Sequence, residues 1–312
     1  MCPSSDSRGN AHAAVYNSGS MQFTDLLDQH GVDWISEGDR HCREGWVQMQ
    51  CPFCGRGSRK YHLGYNIAER YVNCYQCGYH RLTETVMALT GLSFPDAKNA
   101  LGGVGVRIES KPVPKKTGTL VIPKHVGPMQ KPHRRYLRDV RGMDPDVIER
   151  VWQVQGIGIA PRLSWRLFIP IMLDGEVVSW TTRSIGSNAK VRYMSASEAQ
   201  EAVPHKSLLY GEHFVESVIC VVEGPLDAWK IGPGCVATCG TGYSRAQVRR
   251  ISQYPIRALC FDNEPAAQQR ARSLADDLSV FPGETMVVTL DSKDAGEASE
   301  KELRKLRKGI GL

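Results

Sequence analysis

A chain of 312 residues with a 41% apolar fraction can bury a substantial core and, at roughly 100–200 residues per domain, has room for two or three. Its net charge of +6 leans toward polyanionic partners without establishing one, since a net charge does not say where it lies. The sequence contains no apolar run of the ~18 residues that a membrane span needs, and residues 1–20 lack the apolar centre of a secretory signal. The expectation is therefore a cytoplasmic protein with no membrane partner.

In chain order, residues 1–20 are rich in Ser, Gly, Asn and Ala without periodicity and read as a disordered arm. Residues 21–101 are expected to form a cysteine-containing domain with flanking helices. It opens on 22-QFTDLLDQHG-31, a helix with Phe23, Leu26 and Leu27 on one face and Gly31 as its stop. It closes on two helices, 83-TETVMALTG-91 and 93-SFPDAKNALGG-103, each ended by glycine, with Ser93 as a candidate N-cap. Residues 102–132 interleave Lys111, Lys115, Lys116, Lys124 and Lys131 with prolines and read as a basic linker.

Across 133–217, helical pattern appears in 133-HRRYLRDVRG-142 and 144-DPDVIERVWQ-153. Two strands, 167-LFIPIML-173 and 175-GEVVSWTTR-183, follow around an Asp174-Gly175 turn. Residues 218–296 then alternate strands (218–223, 235–242, 256–262, 285–291) with helices, which predicts a parallel sheet with crossover connections. The tail, 297–312, reads as a charged helix with an ordinary solvated face, whose basic end is a candidate contact for nucleic acid.

The ten cysteines do not spread like a disulfide framework. Cys51, Cys54, Cys74 and Cys77 form CxxC-x19-CxxC, a spacing that lets two tight turns present four thiolates to one tetrahedral ion such as Zn²⁺. Between the pairs, 61-YHLGYNIAERYVN-73 predicts a hairpin, so the module reads as a zinc ribbon. His41, Cys42, His62 and His80 are nearby substitutes as ligands, though each is more ordinarily a surface or packing residue. Arg56, Arg59, Lys60, Tyr61, Tyr65, Arg70, Tyr71 and Tyr75 surround the module; they suit base stacking and phosphate pairing, or simply the core of a small ribbon.

Acids follow three of the expected parallel strands: Glu223 and Asp227, then Asp262 and Glu264, then Asp291 and Asp294. A single acid at a strand end is commonly a helix cap. Three such ends gathered at the carboxyl edge of one sheet would repel unless a cation neutralised them, and hard carboxylate oxygens select Mg²⁺ or Mn²⁺. Paired ions of that kind assist phosphoryl or nucleotidyl transfer. Gly240, Thr241 and Gly242 form a short turn before a helix, open enough for a phosphate.

The segments VVEGPLDA, CGTG, FDNE and LDSKDAGE, in that order, resemble the TOPRIM motifs of primases and topoisomerases. The ribbon with its following helix pair, and the central YLRDVRGM, LFIPIMLDGEVVSWTTRSIG, VRYMS and HKSLLYGE, are similar to the zinc-binding and RNA-polymerase domains of bacterial and bacteriophage DNA primases. The resemblance spans about residues 46–297. It implies a mixed α/β fold, a zinc ribbon followed by a primase RNA-polymerase domain with a TOPRIM parallel-sheet core.

The implied activity is de novo synthesis of short RNA primers for replication, using single-stranded DNA template, ribonucleoside triphosphates, structural Zn²⁺ and catalytic Mg²⁺ or Mn²⁺. Glu223, Asp262 and Glu264 would hold the catalytic ions with Asp227, Asp291 and Asp294 in support. Arg166, Arg183, Arg192 and Lys206, with Gly240 and Thr241, would meet nucleotide or template phosphates. Four cysteine ligands favour a stand-alone bacteriophage enzyme, and the absence of a GxxxxGK[ST] loop implies a separate helicase. Two departures stand out: Glu264 replaces the usual second Asp, and Pro265 replaces an acidic neighbour. The alternative reading is a non-enzymatic zinc/TOPRIM recombination mediator, although such chains are shorter and lack the central region. A topoisomerase would need a further domain bearing a nucleophilic tyrosine.

Overall fold

The computed structural model describes residues 21–39, 42–54, 61–103, 116, 118–240 and 242–312. The expected arm (1–20), residues 104–115 and 117 of the expected linker, His41, Arg56, Arg59, Lys60 and Thr241 lie outside them. The described residues fall into two compact units, one within Met1–Glu109 and one within Ser110–Leu312.

In the first unit, helix α1 (Phe23–Gln29) precedes a five-stranded antiparallel meander of β1 (Trp34–Ile35), β2 (Trp46–Met49), β3 (Leu63–Asn66), β4 (Tyr71–Cys74) and β5 (Gly78–His80). Helices α2 (Leu82–Thr90) and α3 (Phe94–Gly103) complete it. The expected hairpin is β3–β4, in which Leu63 faces Cys74 and Tyr65 faces Val72. Val47, Met49, Leu63, Tyr65 and Val72 are buried, and Phe23 of α1 stacks on Tyr65 with ring centroids 3.9 Å apart. Apolar side chains two apart share a sheet face, so this core follows from the strand period. The C-terminus of α2 is closed by Gly91 at φ +74, and the Ser93 hydroxyl accepts from the Asp96 amide at the start of α3.

The second unit begins with β6 (Val126–Gly127), an edge strand lying inside the stretch read as linker, where Val126 faces Ile157. Helix α4 (Lys131–Arg135) continues as a π turn over Tyr136–Val140, and α5 (Pro145–Trp152) follows, with Asp144 accepting from the Asp146 amide as its N-cap. Strands β7 (Gln155–Ile157), β8 (Arg166–Leu173), β9 (Glu176–Ser184) and β10 (Tyr193–Ser195) join β6 in an antiparallel sheet. Asp174 and Gly175 both adopt positive φ, the conformation a two-residue hairpin requires. Both faces of β8 are covered. Leu167, Ile169 and Ile171 enter the main core, while Phe168 packs with Trp180, Ile157 and Ala196 on the other side.

The rest of this unit is the expected parallel sheet: β11 (Val218–Val222), α6 (Pro225–Ile231), β12 (Cys235–Ala237), α7 (Arg245–Ile251), β13 (Ile256–Leu259), α8 (Pro265–Leu278) and β14 (Glu284–Val287). Strand order is β12-β11-β13-β14, all parallel. The chain steps from β11 to one side, then returns to place β13 on the other, so the direction of winding reverses between β11 and β13. A crevice opens at the carboxyl ends of strands at such a switch point. Cys220, Val222, Trp229 and Ala258 share one core with Leu167 and Ile169, which joins the two sheets of this unit.

Helix α9 (Glu300–Ile310) is a charged helix with one solvated face, and its other face docks. It buries Leu303, Leu306 and Ile310, and the Arg307 guanidinium donates to the Ile231 carbonyl at the end of α6. Lys301, Arg304, Lys305 and Lys308 remain exposed on its outer face.

Candidate active site and metal centre

Cys51 follows β2, Cys74 ends β4, and Cys77 precedes Gly78, whose φ of +84 turns the chain into β5. The sulfurs of Cys51, Cys54, Cys74 and Cys77 all lie within 4.8 Å of one another, with Cys54 to Cys77 at 3.1 Å, Cys54 to Cys74 at 3.3 Å and Cys51 to Cys77 at 3.6 Å. A tetrahedral Zn²⁺ site with bonds of about 2.3 Å separates its sulfurs by about 3.8 Å, so the donor set fits the ion. Burial opposes ionisation of Cys74, yet main-chain amides of Cys77 and Gln76 bring its thiol down to about 7, which favours the thiolate that metal binding needs. Of the alternative ligands, His80 places Nε2 2.9 Å from the Cys77 sulfur and stacks on the exposed Phe53 ring. Cys42 instead turns its thiol toward the Trp46 carbonyl. The nine described cysteines are unbridged.

The acids of the second unit converge on a cavity of about 470 Å³ at the β11/β13 switch point. Glu223 is the residue after β11; Asp227 lies one helical turn on, in the first turn of α6. Asp262 follows β13, and Glu264 is the N-cap of α8. Together with Asp294 and Glu297 from the loop beyond β14, these residues line the cavity. Asp291 does not. It is exposed, and its amide donates to Glu302 Oε1 at 2.6 Å, so the expected third strand end contributes through Asp294 instead.

Close main-chain approach fixes this arrangement. The Gly296 amide donates to Asp227 Oδ1 at 3.0 Å, and a Cβ at Gly296 would stand 3.1 Å from both Asp227 Oδ1 and Asp294 Oδ1. Asn263 ties the two acidic loops together, its amide donating to the Lys293 carbonyl at 2.7 Å and its side chain to the Leu290 carbonyl at 2.9 Å. Burial, reinforced by the charges of Asp294 and Asp262, pushes the Asp227 carboxyl up to about 7. Burial and then Glu223, Asp294 and Glu264 push Asp262 up to about 6.

Two of the acids meet protein cations: Glu223 is paired with Arg270 at 2.6 Å and Glu264 with Lys293 at 3.4 Å. Among the described residues, only the four cysteines bring three or more ligand atoms within 4.8 Å of one another; the acids are spaced more widely around their cavity. Partly buried carboxylates, raised proton affinity and a cradle that would crowd a Cβ nevertheless suit a hard divalent cation.

Basic residues line the same cavity. Arg183 of β9, Arg192 and Arg141 line the cavity with Tyr193, Thr181 and Ser195. The Arg183 guanidinium lies 4.8 Å from the centroid of the Tyr193 ring, and its buried Nε finds no hydrogen-bond acceptor among the described residues. Arg166 and Lys206, expected to meet phosphates, spend donors on the main chain. Arg166 donates to the Val191 and Arg192 carbonyls at 2.6 and 3.1 Å, supporting the segment that carries Arg192. Lys206 donates to the carbonyls of Cys239 and Gly242 at 3.0 and 3.3 Å, bracing the glycine turn from beneath. Gly240 lines the cavity with φ +147.

Sequence reasoning missed Arg141, Tyr193, Arg270, Lys293 and Glu297. Lys293 and Glu297 lie within LDSKDAGE and were open to notice; Arg270 lies in the helix that Glu264 caps, while Arg141 and Tyr193 reach the site from elements distant in sequence.

No protein-family model matches the chain, and no curated protein matches it in sequence. Among solved structures, it is similar to the zinc-binding and RNA-polymerase domains of Aquifex aeolicus primase, at 15% identity and a TM-score of 0.47, over 93% of this chain and 83% of that one. It is similar to the primase fragment of the bacteriophage T7 primase-helicase protein, at 16% identity and a TM-score of 0.45, over 85% of this chain and all of that fragment. A further likeness is to the RNA-polymerase domain of Mycobacterium tuberculosis primase DnaG, at 18% identity and a TM-score of 0.49, over 58% of this chain and 75% of that one.

Proposed function

We propose that the chain is a DNA primase, a metal-assisted nucleotidyltransferase that starts short RNA chains on single-stranded DNA. The observation that carries the reading is one cavity lined both by acids from neighbouring parallel-strand ends and by basic residues. Such a cavity suits a reaction in which a hydroxyl displaces pyrophosphate from a nucleoside triphosphate: negative charge needs both holding and orienting. The four-cysteine ribbon supports a template-binding role for the first unit, and the sequence resemblance points the same way.

Glu223, Asp227, Asp262, Glu264 and Asp294 would hold Mg²⁺ or Mn²⁺. Bound there, such ions favour the attacking alkoxide and neutralise the departing pyrophosphate. Arg183 and Arg192, which line the cavity, orient the triphosphate. Arg166 and Lys206 act on ligand only through the segments they brace. The bacteriophage assignment and the separate helicase belong to the same proposal. Among the described residues, no helix is long and apolar enough to cross a membrane.

The test is synthesis from labelled ribonucleoside triphosphates on a library of single-stranded templates with Mg²⁺ or Mn²⁺. Short, template-dependent RNA is the expected product. Zinc-dependent DNA binding with no RNA on any template would favour the recombination-mediator alternative.

A further inference from the structure

The first two turns of α8 bracket the acidic cavity. Glu264 is the N-cap of this helix. One turn on, Gln268 Nε2 donates to the Phe261 and Asp262 carbonyls at 3.1 and 3.0 Å, and its Oε1 accepts from Thr289 at 3.0 Å. Arg270 then reaches Glu223, with Nη2 2.6 Å and Nε 3.2 Å from the same oxygen, Oε1. Both donors fall on one oxygen, and among the described residues none hydrogen-bonds to Oε2. Glu223 lines the cavity and Arg270 does not, so the guanidinium approaches from behind the acid. The side chains are 15% and 32% exposed, which shields the pair from much of the screening that weakens a surface bridge.

We propose that Arg270 is a positioning residue: it pins Glu223 Oε1, presents Oε2 to the cation site, and lowers that site's affinity by opposing the charge of the incoming ion. The inference deepens the primase reading and rests on it for the identity of the reaction. The metal-affinity consequence holds for any chemistry at these acids. Loss of Arg270 makes the cluster more negative by one charge, so a divalent cation binds more tightly. It also frees Glu223 to rotate, so turnover falls. A merely structural arginine would weaken both or change neither.

The experiment titrates Mn²⁺ into the zinc-loaded full chain, following free Mn²⁺ by electron paramagnetic resonance, for wild type, Arg270→Ala, Arg270→Gln and Arg270→Lys. Thermal melts check that each variant folds, and RNA synthesis is read in parallel. Arg270→Ala and Arg270→Gln are expected to bind Mn²⁺ about tenfold more tightly, as removal of one nearby positive charge implies. Both are expected to lose most turnover. Arg270→Lys, with the charge but not the paired donors, is expected to keep wild-type affinity with reduced turnover.

Unchanged or weaker Mn²⁺ binding in folded Arg270→Ala and Arg270→Gln overturns the inference and leaves the primase reading standing if wild type makes RNA. The predicted tightening in a protein that makes no RNA supports the charge role of Arg270 and removes the primase reading. A wild-type chain that binds no Mn²⁺ overturns both.

Discussion

Asp227 stands in the first turn of α6, held by the Gly296 amide and faced by Asp294 and Asp262, whose charges add to burial in raising its proton affinity. Its carboxyl titrates at about 7 in the folded chain against an ordinary 3.8, so the folded state binds this proton the more strongly. The stability it contributes is complete below about pH 4 and is lost as pH rises through about 7. Without added divalent ion, the melting temperature of the second unit should therefore fall across that window, and Mg²⁺ should restore it at the upper end. Asp227→Asn should flatten the decline; melts recorded from pH 4 to 8 check this, and an undiminished slope in the variant would contradict the assignment. Gly296→Ala tests the neighbouring close approach. A Cβ there meets Asp227 and Asp294 at 3.1 Å, so metal binding should weaken while far-ultraviolet circular dichroism stays unchanged.

At the scale of elements, much was legible because local pattern and tertiary demand agree. The ribbon hairpin, the Asp174-Gly175 turn and the crossover helices each carry their own period and punctuation. The strand read over 235–242 is shorter, Cys235–Ala237, because Lys206 and Gln247 take the Thr238 and Cys239 carbonyls that a longer ladder would use. Asp291 was misplaced for a related reason: Glu302 captures the amides of Asp291 and Ser292, turning the chain so that Asp294 lines the cavity. No local signal announces a partner eleven residues ahead. Arg270 and Tyr193 were equally invisible, since an arginine within a helix or a tyrosine in an edge strand is ordinary until the sheet brings it beside Glu223 or Gly224. Helix α9 shows the opposite case, a charged sequence with a buried apolar stripe at helical spacing. Leu306→Ala should cost about 2–4 kcal/mol of stability, as loss of a buried leucine does, measurable as a shift in urea midpoint. A shift near zero would mean that α9 does not dock.

For the whole molecule, the two units carry separate cores and separate chemistry, one a thiolate site for zinc and the other a carboxylate cavity with an arginine wall. Cys74→Ser should release about one zinc per chain, as loss of one of four ligands predicts, and remove the thermal transition of the first unit alone. Unaltered zinc content would refute the ligand set. The central claim is that the acids beyond β11 and β13 catalyse nucleotidyl transfer, and dinucleotide formation by Glu223→Gln on a single-stranded template tests it most directly. The account predicts that the folded, zinc-loaded variant forms no template-directed dinucleotide where wild type does. Synthesis at the wild-type rate by that variant would contradict it.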